Sequence, residues 1–390
     1  MSHYRAVGDV PHKRHTQFRR PDGGLYAEEL MGQEGFSSES ALLYHRHLPT
    51  AIVSAAAYEE SSQVLQPNYP LLPRHVRSHK LDTGLTADAV TGRHLLFGNG
   101  DVLLSYVVAT GPSPLYRNGI GDELVYVESG NAVVETVFGA MTVSSGDYVV
   151  LPTSTTYRVV PEMGEVLRLL VVEARGHLGP PARYLSKRGQ FLEHAPFCER
   201  DLRAPGEPLL VEDEDVEVLV RHGQGLTKYV YAHHPFDVVG WDGGQYPYVL
   251  SIHDFEPITG RVHQPPTVHQ TFAGPNFVVC SFVPRMFDYH PQAIPTPYNH
   301  ANVDSDEVLF YVGGDFMSRK GAGIEHGSLT LHPSGFTHGP QPGSVEASIG
   351  KASTDELAVM VDTFRPLGIG PAAFEAEDDD YPWTWSGRRQ

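Results

Sequence analysis

The residues that decide the fold are YNHANVDSDEVLFYVGG at 298–314 and, after a loop, HGSLTLHPSGFTH at 326–338. Their apolar positions alternate, which suits short strands with one face turned inward. The same pattern occurs earlier as DELVYVESG at 122–130 and SGDYVVLPTSTTY at 145–157. In both copies six residues separate a glutamate, Glu123 or Glu307, from a glycine, Gly130 or Gly314. Gly146 and Gly327, Pro152 and Pro333, and Tyr157 and His338 then pair at one constant offset. A repeat of this kind predicts a duplicated β-unit.

Outward from these segments, DVLLSYVVAT, NAVVETVF and EVLRLLVVEA continue the run of short strands, with Gly, Ser or Pro between them. The expected fold class is therefore all-β, with two sandwich- or barrel-like units. The expected divisions are an irregular N-terminal arm with short strands over 1–80, a first unit over 81–175 and a connection over 176–240. A second unit follows over 241–365, then an acidic, aromatic tail over 366–390. The connection, which contains RAPGEP and VEDEDVE, reads as a solvated linker.

The chain has 390 residues, 41% of them hydrophobic and 19% charged, enough to bury a core without disulfide or metal staples. Its 39 glycines and 31 prolines favour turns and short strands over long helices. Cys198 and Cys280 are the only cysteines, which fits a reduced compartment and a cytoplasmic location. With 29 Lys and Arg against 47 Asp and Glu, the formal charge is −18, which disfavours nucleic acid and anionic membrane surfaces. The first twenty residues contain no apolar stretch typical of a secretion signal, and no apolar run is long enough to span a bilayer.

The 21 histidines raise the prospect of a metal site. His300, Glu307 and His338 form the candidate set, with Asn302 two residues after His300. Asp304 and Asp306 compete with Glu307, although strand alternation sets Asp306 on the opposite face and the repeat favours Glu307. The first copy has Tyr116, Asn118 and Tyr157 where the second has His300, Asn302 and His338, and retains only Glu123. It is expected to be metal-free. His12, His15, His45, His47, His233 and His234 lie in polar segments and read as surface or arm residues, and Cys280 in NFVVCSFVP reads as core.

The spacing of histidine and glutamate resembles that of the cupin superfamily. Further motifs narrow the resemblance to the homogentisate 1,2-dioxygenase family. They are LYAEELMG at 25–32, PFDVVGWDG at 235–243 with YPY following, PYNHANVDSDE at 297–307 and SLTLHPSGFTHGP at 328–340. The resemblance implies a bicupin, built from a degenerate, metal-free cupin and a catalytic one. It implies Fe(II) held by His300, Glu307 and His338, two imidazoles and a carboxylate on one face of the metal. It implies ring cleavage of homogentisate by O2 to maleylacetoacetate, in tyrosine and phenylalanine breakdown, with a small aromatic acid and O2 as the partners. The family's count from His to carboxylate would select Asp306, so the carboxylate stays open.

The resemblance also marks His263, in GRVHQPPTVHQTF, as the acid/base residue, with His269 as the alternative. It places His332, Asn302, Tyr298 and His338 around the substrate. Phe316 stands where the family has a substrate-contacting tyrosine, which leaves gentisate or another hydroquinone acid as alternative substrates. A non-catalytic aromatic-binding bicupin is the reading from another class. Family members assemble as hexamers built from trimers, so the resemblance implies a homo-oligomer.

Overall fold

A computed structural model describes residues 3–60, 64–81, 87–223, 225–319 and 321–386. The strand Asp306–Gly313 shows how the alternating pattern becomes a barrel wall. Its even positions, Val308, Phe310 and Val312, join the large apolar core. Its odd positions, Leu309 and Tyr311, join a separate cluster with Cys280, Ala358 and Met360. Glu307 shares that second face, since side chains two apart in a strand point the same way.

The first unit has the same plan on a larger scale. Glu123–Ser129 lies between Asp147–Leu151 and Leu167–Ala174, all antiparallel. A facing sheet contains Gly139–Val143, Ala132–Thr136, Thr156–Pro161 and Leu115–Asn118. Val125, Val127, Val134, Tyr116 and Tyr157 fill the space between the two sheets. The second unit is one six-stranded sheet with Asp306–Gly313 between Ser328–His332 and Leu357–Thr363. Its open side is closed by loops and by short bridges such as His300 to His338.

The repeat seen in the sequence is a repeat in register. Glu123 stands opposite Leu151 and Glu173, and Glu307 opposite His332 and Asp362. Tyr116 pairs with Tyr157 as His300 pairs with His338. Gly146 and Gly327 both turn the chain with left-handed backbone, at φ 92° and 78°, which favours residues without a Cβ. The units pack back to back, with the Phe310 ring 6.2 Å from Tyr106 and 6.3 Å from Tyr126.

Three expectations need correction. The N-terminal stretch is threaded into the sheets. Arg5–Gly8 and Ser40–His45 flank Val238–Gly243, Ile52–Glu60 edges the first unit's facing sheet, and Arg74–Arg77 pairs with Ser328–His332. Stretch 176–240 is no mere solvated linker, because Val216–His222 and Gly225–Tyr231 extend that facing sheet. Tyr248–Ser251, expected in the second unit, pairs with Asp147–Leu151 of the first. In each case the partner strand is remote in sequence, so local patterning does not reveal the pairing.

The motif PFDVVGWDG has a structural role. Trp241 is buried and donates its indole N–H to the Phe138 carbonyl at 2.8 Å, while Asp242 holds the Arg14 guanidinium. His45, expected at the surface, is buried between Asp237 (2.6 Å) and Glu29 (3.0 Å). Burial alone would lower its pKa, but bonds to the two carboxylates outweigh that and raise it to about 9. His234, read the same way, is also buried. No helix among the described residues is long and apolar enough to cross a membrane.

Candidate metal centre

His300 and His338 lie on adjacent chain segments that exchange two backbone hydrogen bonds, of 2.8 and 2.9 Å. The local geometry is the same at both. Nδ1 of His300 is 3.2 Å from the Tyr298 carbonyl, and Nδ1 of His338 is 3.2 Å from the Phe336 carbonyl. Each Nδ1–H therefore donates to the carbonyl two residues back, which turns Nε2 inward. There Nε2 of His300 is 3.5 Å from one Glu307 oxygen and Nε2 of His338 is 3.3 Å from the other.

The donor set fits a cation. Ligand atoms of His300, Glu307 and His338 all lie within 4.8 Å of one another. Nε2 of His338 is buried and has no hydrogen-bond partner. Neutral imidazole nitrogens and a carboxylate are all acceptors, and acceptors that face one another need a positive charge between them. Neighbouring donors around a metal at about 2.1 Å stand roughly 3 Å apart, close to the spacing seen. Two nitrogens and one oxygen on one side is the pattern that suits non-haem Fe(II) with open positions. Without a cation the bond to Glu307 raises the His300 pKa, an effect larger than the opposing one of burial. Burial would raise the Glu307 carboxyl, but the imidazoles bonded to it hold it well below the usual range.

The carboxylates that the spacing left open differ in position. Both Asp306 oxygens accept backbone N–H bonds, from Ser334 at 2.8 Å and Leu367 at 2.7 Å, on the face away from the histidines. Asp304 is exposed. Only Glu307 joins the two imidazoles.

His332 is fully buried behind Glu307. Its Nδ1 is 2.8 Å from Glu307 Oε1, and its ring stacks on His338 at 4.2 Å. Burial lowers its pKa to about 3 despite the bond to Glu307. Asn302 reaches Asp362 at 3.5 Å. Asp362 stands opposite Glu307 across the strands, and burial together with the Glu307 charge raises its pKa to about 8.

His263 is further out, with its side chain 60% exposed and its Nδ1 3.1 Å from Asp288. The Tyr298 ring stands between, 5.5 Å from His263 and 6.3 Å from His300. His269 packs on Phe282 at 4.6 Å. Burial and the Arg285 charge lower its pKa to about 3. Phe316 packs on Tyr311 at 5.0 Å and belongs to the apolar cluster with Leu309 and Cys280.

Sequence reasoning missed Asp362, Arg319 and the tail residues Tyr381 and Trp385. The repeat could have exposed Asp362, which answers Glu173 as the acidic residue near the end of an apolar strand. The Tyr381 hydroxyl is 2.8 Å from Nε2 of His332. The Trp385 indole donates at 3.0 Å to the carbonyl of Gly339, the residue after His338, and buried Arg319 donates to the same carbonyl.

In the first copy a guanidinium meets the corresponding glutamate. Arg93 Nη1 is 2.5 Å from Glu123, and Arg93 Nη2 donates at 3.1 Å to the Tyr157 hydroxyl. That hydroxyl donates at 2.6 Å to the other Glu123 oxygen. Among the described residues His300, Glu307 and His338 are the only group that could hold a metal.

Comparison with known proteins adds the family context. Residues 2–252 match the family model described as homogentisate 1,2-dioxygenase N-terminal. The chain is 40% identical, over 99% of both chains, to a Saccharolobus solfataricus protein named "Putative dioxygenase SSO1533". It is 24% identical to a homogentisate 1,2-dioxygenase of Emericella nidulans, over 91% of this chain and 85% of that one. Among solved structures it is similar to a cupin 2 conserved barrel domain protein from Leptotrichia buccalis. That match has a TM-score of 0.32 and 12% identity, over 75% of this chain and 96% of the other.

Proposed function

Since this chain belongs to the homogentisate 1,2-dioxygenase family, we propose that it is an Fe(II)-dependent dioxygenase that opens the aromatic ring of homogentisate. The observation that carries the metal reading is the buried, unpartnered Nε2 of His338, aimed with Nε2 of His300 at the Glu307 carboxylate. Bound Fe(II) would supply the Lewis acidity that eases loss of a phenolic proton and the redox chemistry that O2 requires.

The residues of the chain divide the remaining work. His300, Glu307 and His338 hold the ion. His332 fixes the Glu307 oxygen from behind with a 2.8 Å bond. His263 takes the proton from a substrate hydroxyl. Asp288 accepts from its Nδ1–H at 3.1 Å, which leaves Nε2 free as the base. Tyr298, between His263 and His300, forms part of the substrate's wall. We place the working protein in a homo-oligomer, a trimer or hexamer, as the family resemblance implies.

Phe316 favours a second reading within the same chemistry. It offers no hydroxyl to a substrate and is packed in an apolar cluster. A hydroquinone acid such as gentisate then becomes the alternative. Oxygen uptake by anaerobically purified, Fe(II)-loaded protein decides between them, with homogentisate, gentisate and hydroquinone run side by side. Uptake and a ring-opened product with homogentisate support the first reading. Uptake with another diphenol alone moves the substrate and keeps the chemistry. No uptake from iron-holding protein overturns the proposal in favour of a non-catalytic aromatic-binding bicupin.

A further inference from the structure

The C-terminal segment is fastened across the back of the second unit. Strand Arg74–Arg77 pairs with Ser328–His332, and the tail in turn lies on that strand. Val76 forms a β-bridge with Glu377, the Arg74 guanidinium meets the Glu377 carboxylate at 2.7 Å, and Asp378 N–H donates to the His75 carbonyl at 2.8 Å. This anchoring carries Tyr381 into the interior, where it is fully buried.

The hydrogen bonds at Tyr381 have only one consistent direction. Glu307 is a carboxylate and can only accept, so the His332 nitrogen 2.8 Å away, Nδ1, carries the proton. In the neutral ring Nε2 is then the acceptor, and the Tyr381 hydroxyl 2.8 Å away donates to it. The opposite tautomer of His332 would set a lone pair against Glu307. Glu307 thus requires this form of His332, and the Tyr381 hydroxyl meets its Nε2 lone pair and holds the ring against Glu307; among the described residues Oε1 is otherwise approached by the His338 edge.

A second tail contact acts on the other side of the same centre. The Trp385 indole and the Arg319 guanidinium converge on the Gly339 carbonyl, next to His338, and Arg319 lies 5.8 Å from the Trp385 ring centre. Thr384 accepts from Gln341 at 2.9 Å. One short segment therefore touches both the strand behind Glu307 and the loop that carries His338.

We infer that Tyr381 is a positioning residue of the metal centre: through His332 its hydroxyl fixes the orientation of Glu307, and the C-terminal segment is part of the site's support. This rests on His300, Glu307 and His338 being the metal ligands. Removing an outer partner of this kind typically weakens metal affinity 10- to 100-fold.

The test compares the full-length protein with Tyr381→Phe, His332→Gln and the double variant, with Glu307→Gln as the ligand control. Fe(II) affinity is read by competition with a chelator, and the proton position on His332 by long-range 1H–15N spectra of the metal-free protein. The expected result is a loss of about tenfold or more in affinity for Tyr381→Phe. The His332 Nε2 signal should shift as its donor is lost while Nδ1 keeps the proton, with secondary structure kept. His332→Gln should lose at least as much, and adding Tyr381→Phe to it should cost little more, because the two act in series. Affinity within twofold of wild type for Tyr381→Phe, with the His332 Nε2 signal unchanged, overturns the inference. So do losses that simply multiply in the double variant. If wild type itself binds no ion, or Glu307→Gln binds as well as wild type, the metal reading fails instead, and the spectra still report whether the Tyr381 hydroxyl is bonded to Nε2 of His332.

Discussion

Arg93 Nη1 lies 2.5 Å from Oε1 of Glu123, inside the first barrel, where the repeat places the counterpart of the Glu307 centre. The two copies solve one problem in two ways. A buried carboxylate facing inward needs a compensating positive charge. In the first copy the chain supplies it as a guanidinium held also by the Tyr157 hydroxyl. In the second copy two imidazoles stand in place of Tyr116 and Tyr157, and the donor set calls for an ion from outside.

The first prediction follows from that pair. Arg93→Met leaves the Glu123 carboxylate buried without its partner and should destabilise the protein by about 3–5 kcal/mol. Replacing Glu123 by Leu as well should restore much of the loss. Urea unfolding of the three proteins measures it, and bound metal per chain should stay at the wild-type value throughout.

The carboxylate assignment predicts opposite behaviour for neighbouring residues. Asp306→Ala removes two acceptors of backbone N–H groups, those of Ser334 and Leu367, and should cost about 1–3 kcal/mol while metal binding persists. Glu307→Gln should abolish metal binding. Metal analysis beside thermal unfolding distinguishes the two, and loss of metal in Asp306→Ala with full metal in Glu307→Gln would reverse the assignment.

His45 predicts a pH dependence far from the metal centre. Its pKa is raised to about 9 in the folded protein, because bonds to Asp237 and Glu29 outweigh burial. A group whose pKa rises on folding contributes fully below its unfolded value, about 6.5, and loses that contribution as pH climbs through about 9. The shift corresponds to stability on the order of 3 kcal/mol. Unfolding free energy measured in urea should therefore fall between pH 6 and pH 9.5, and His45→Gln should flatten much of that slope. An unchanged slope in the variant would remove His45 as its cause.

Phe316→Tyr tests the substrate reading. A restored phenol hydroxyl that reaches the substrate should raise kcat/KM for homogentisate relative to unsubstituted hydroquinone about threefold to tenfold, the effect of one hydrogen bond. A ratio unchanged within error would show that the Phe316 position does not contact substrate.

Much of the candidate centre was legible because it obeys local rules. Alternation in DEVLFYV set Glu307 apart from Asp306, and the repeat matched His338 with Tyr157 and His300 with Tyr116. The family motifs pointed to the same two histidines, though their count favoured Asp306 as the carboxylate. What escaped notice depends on contacts between remote parts of the chain. Arg93 lies 30 residues before Glu123, outside the repeated motif. Tyr381 reaches His332 from 49 residues downstream in a tail that reads only as acidic and aromatic. His45 looks like a surface residue in a polar segment until strand pairing sets Glu29 beside it and Asp237 at its other nitrogen.

The sequence by itself determined the all-β class and the duplication, and singled out His300 and His338 with a short choice of acidic partners, since side-chain period and turn chemistry are properties of neighbouring residues. The tertiary structure alone decided which carboxylate meets the imidazoles, what replaces the ion in the first copy and what stands behind the centre. Those outcomes depend on which remote strands pair and in what register, and a register is fixed only when whole faces are buried together. The direction of each proton in the chain from Tyr381 through His332 to Glu307 follows from that packing as well, because burial leaves each acceptor only the donors the fold brings to it.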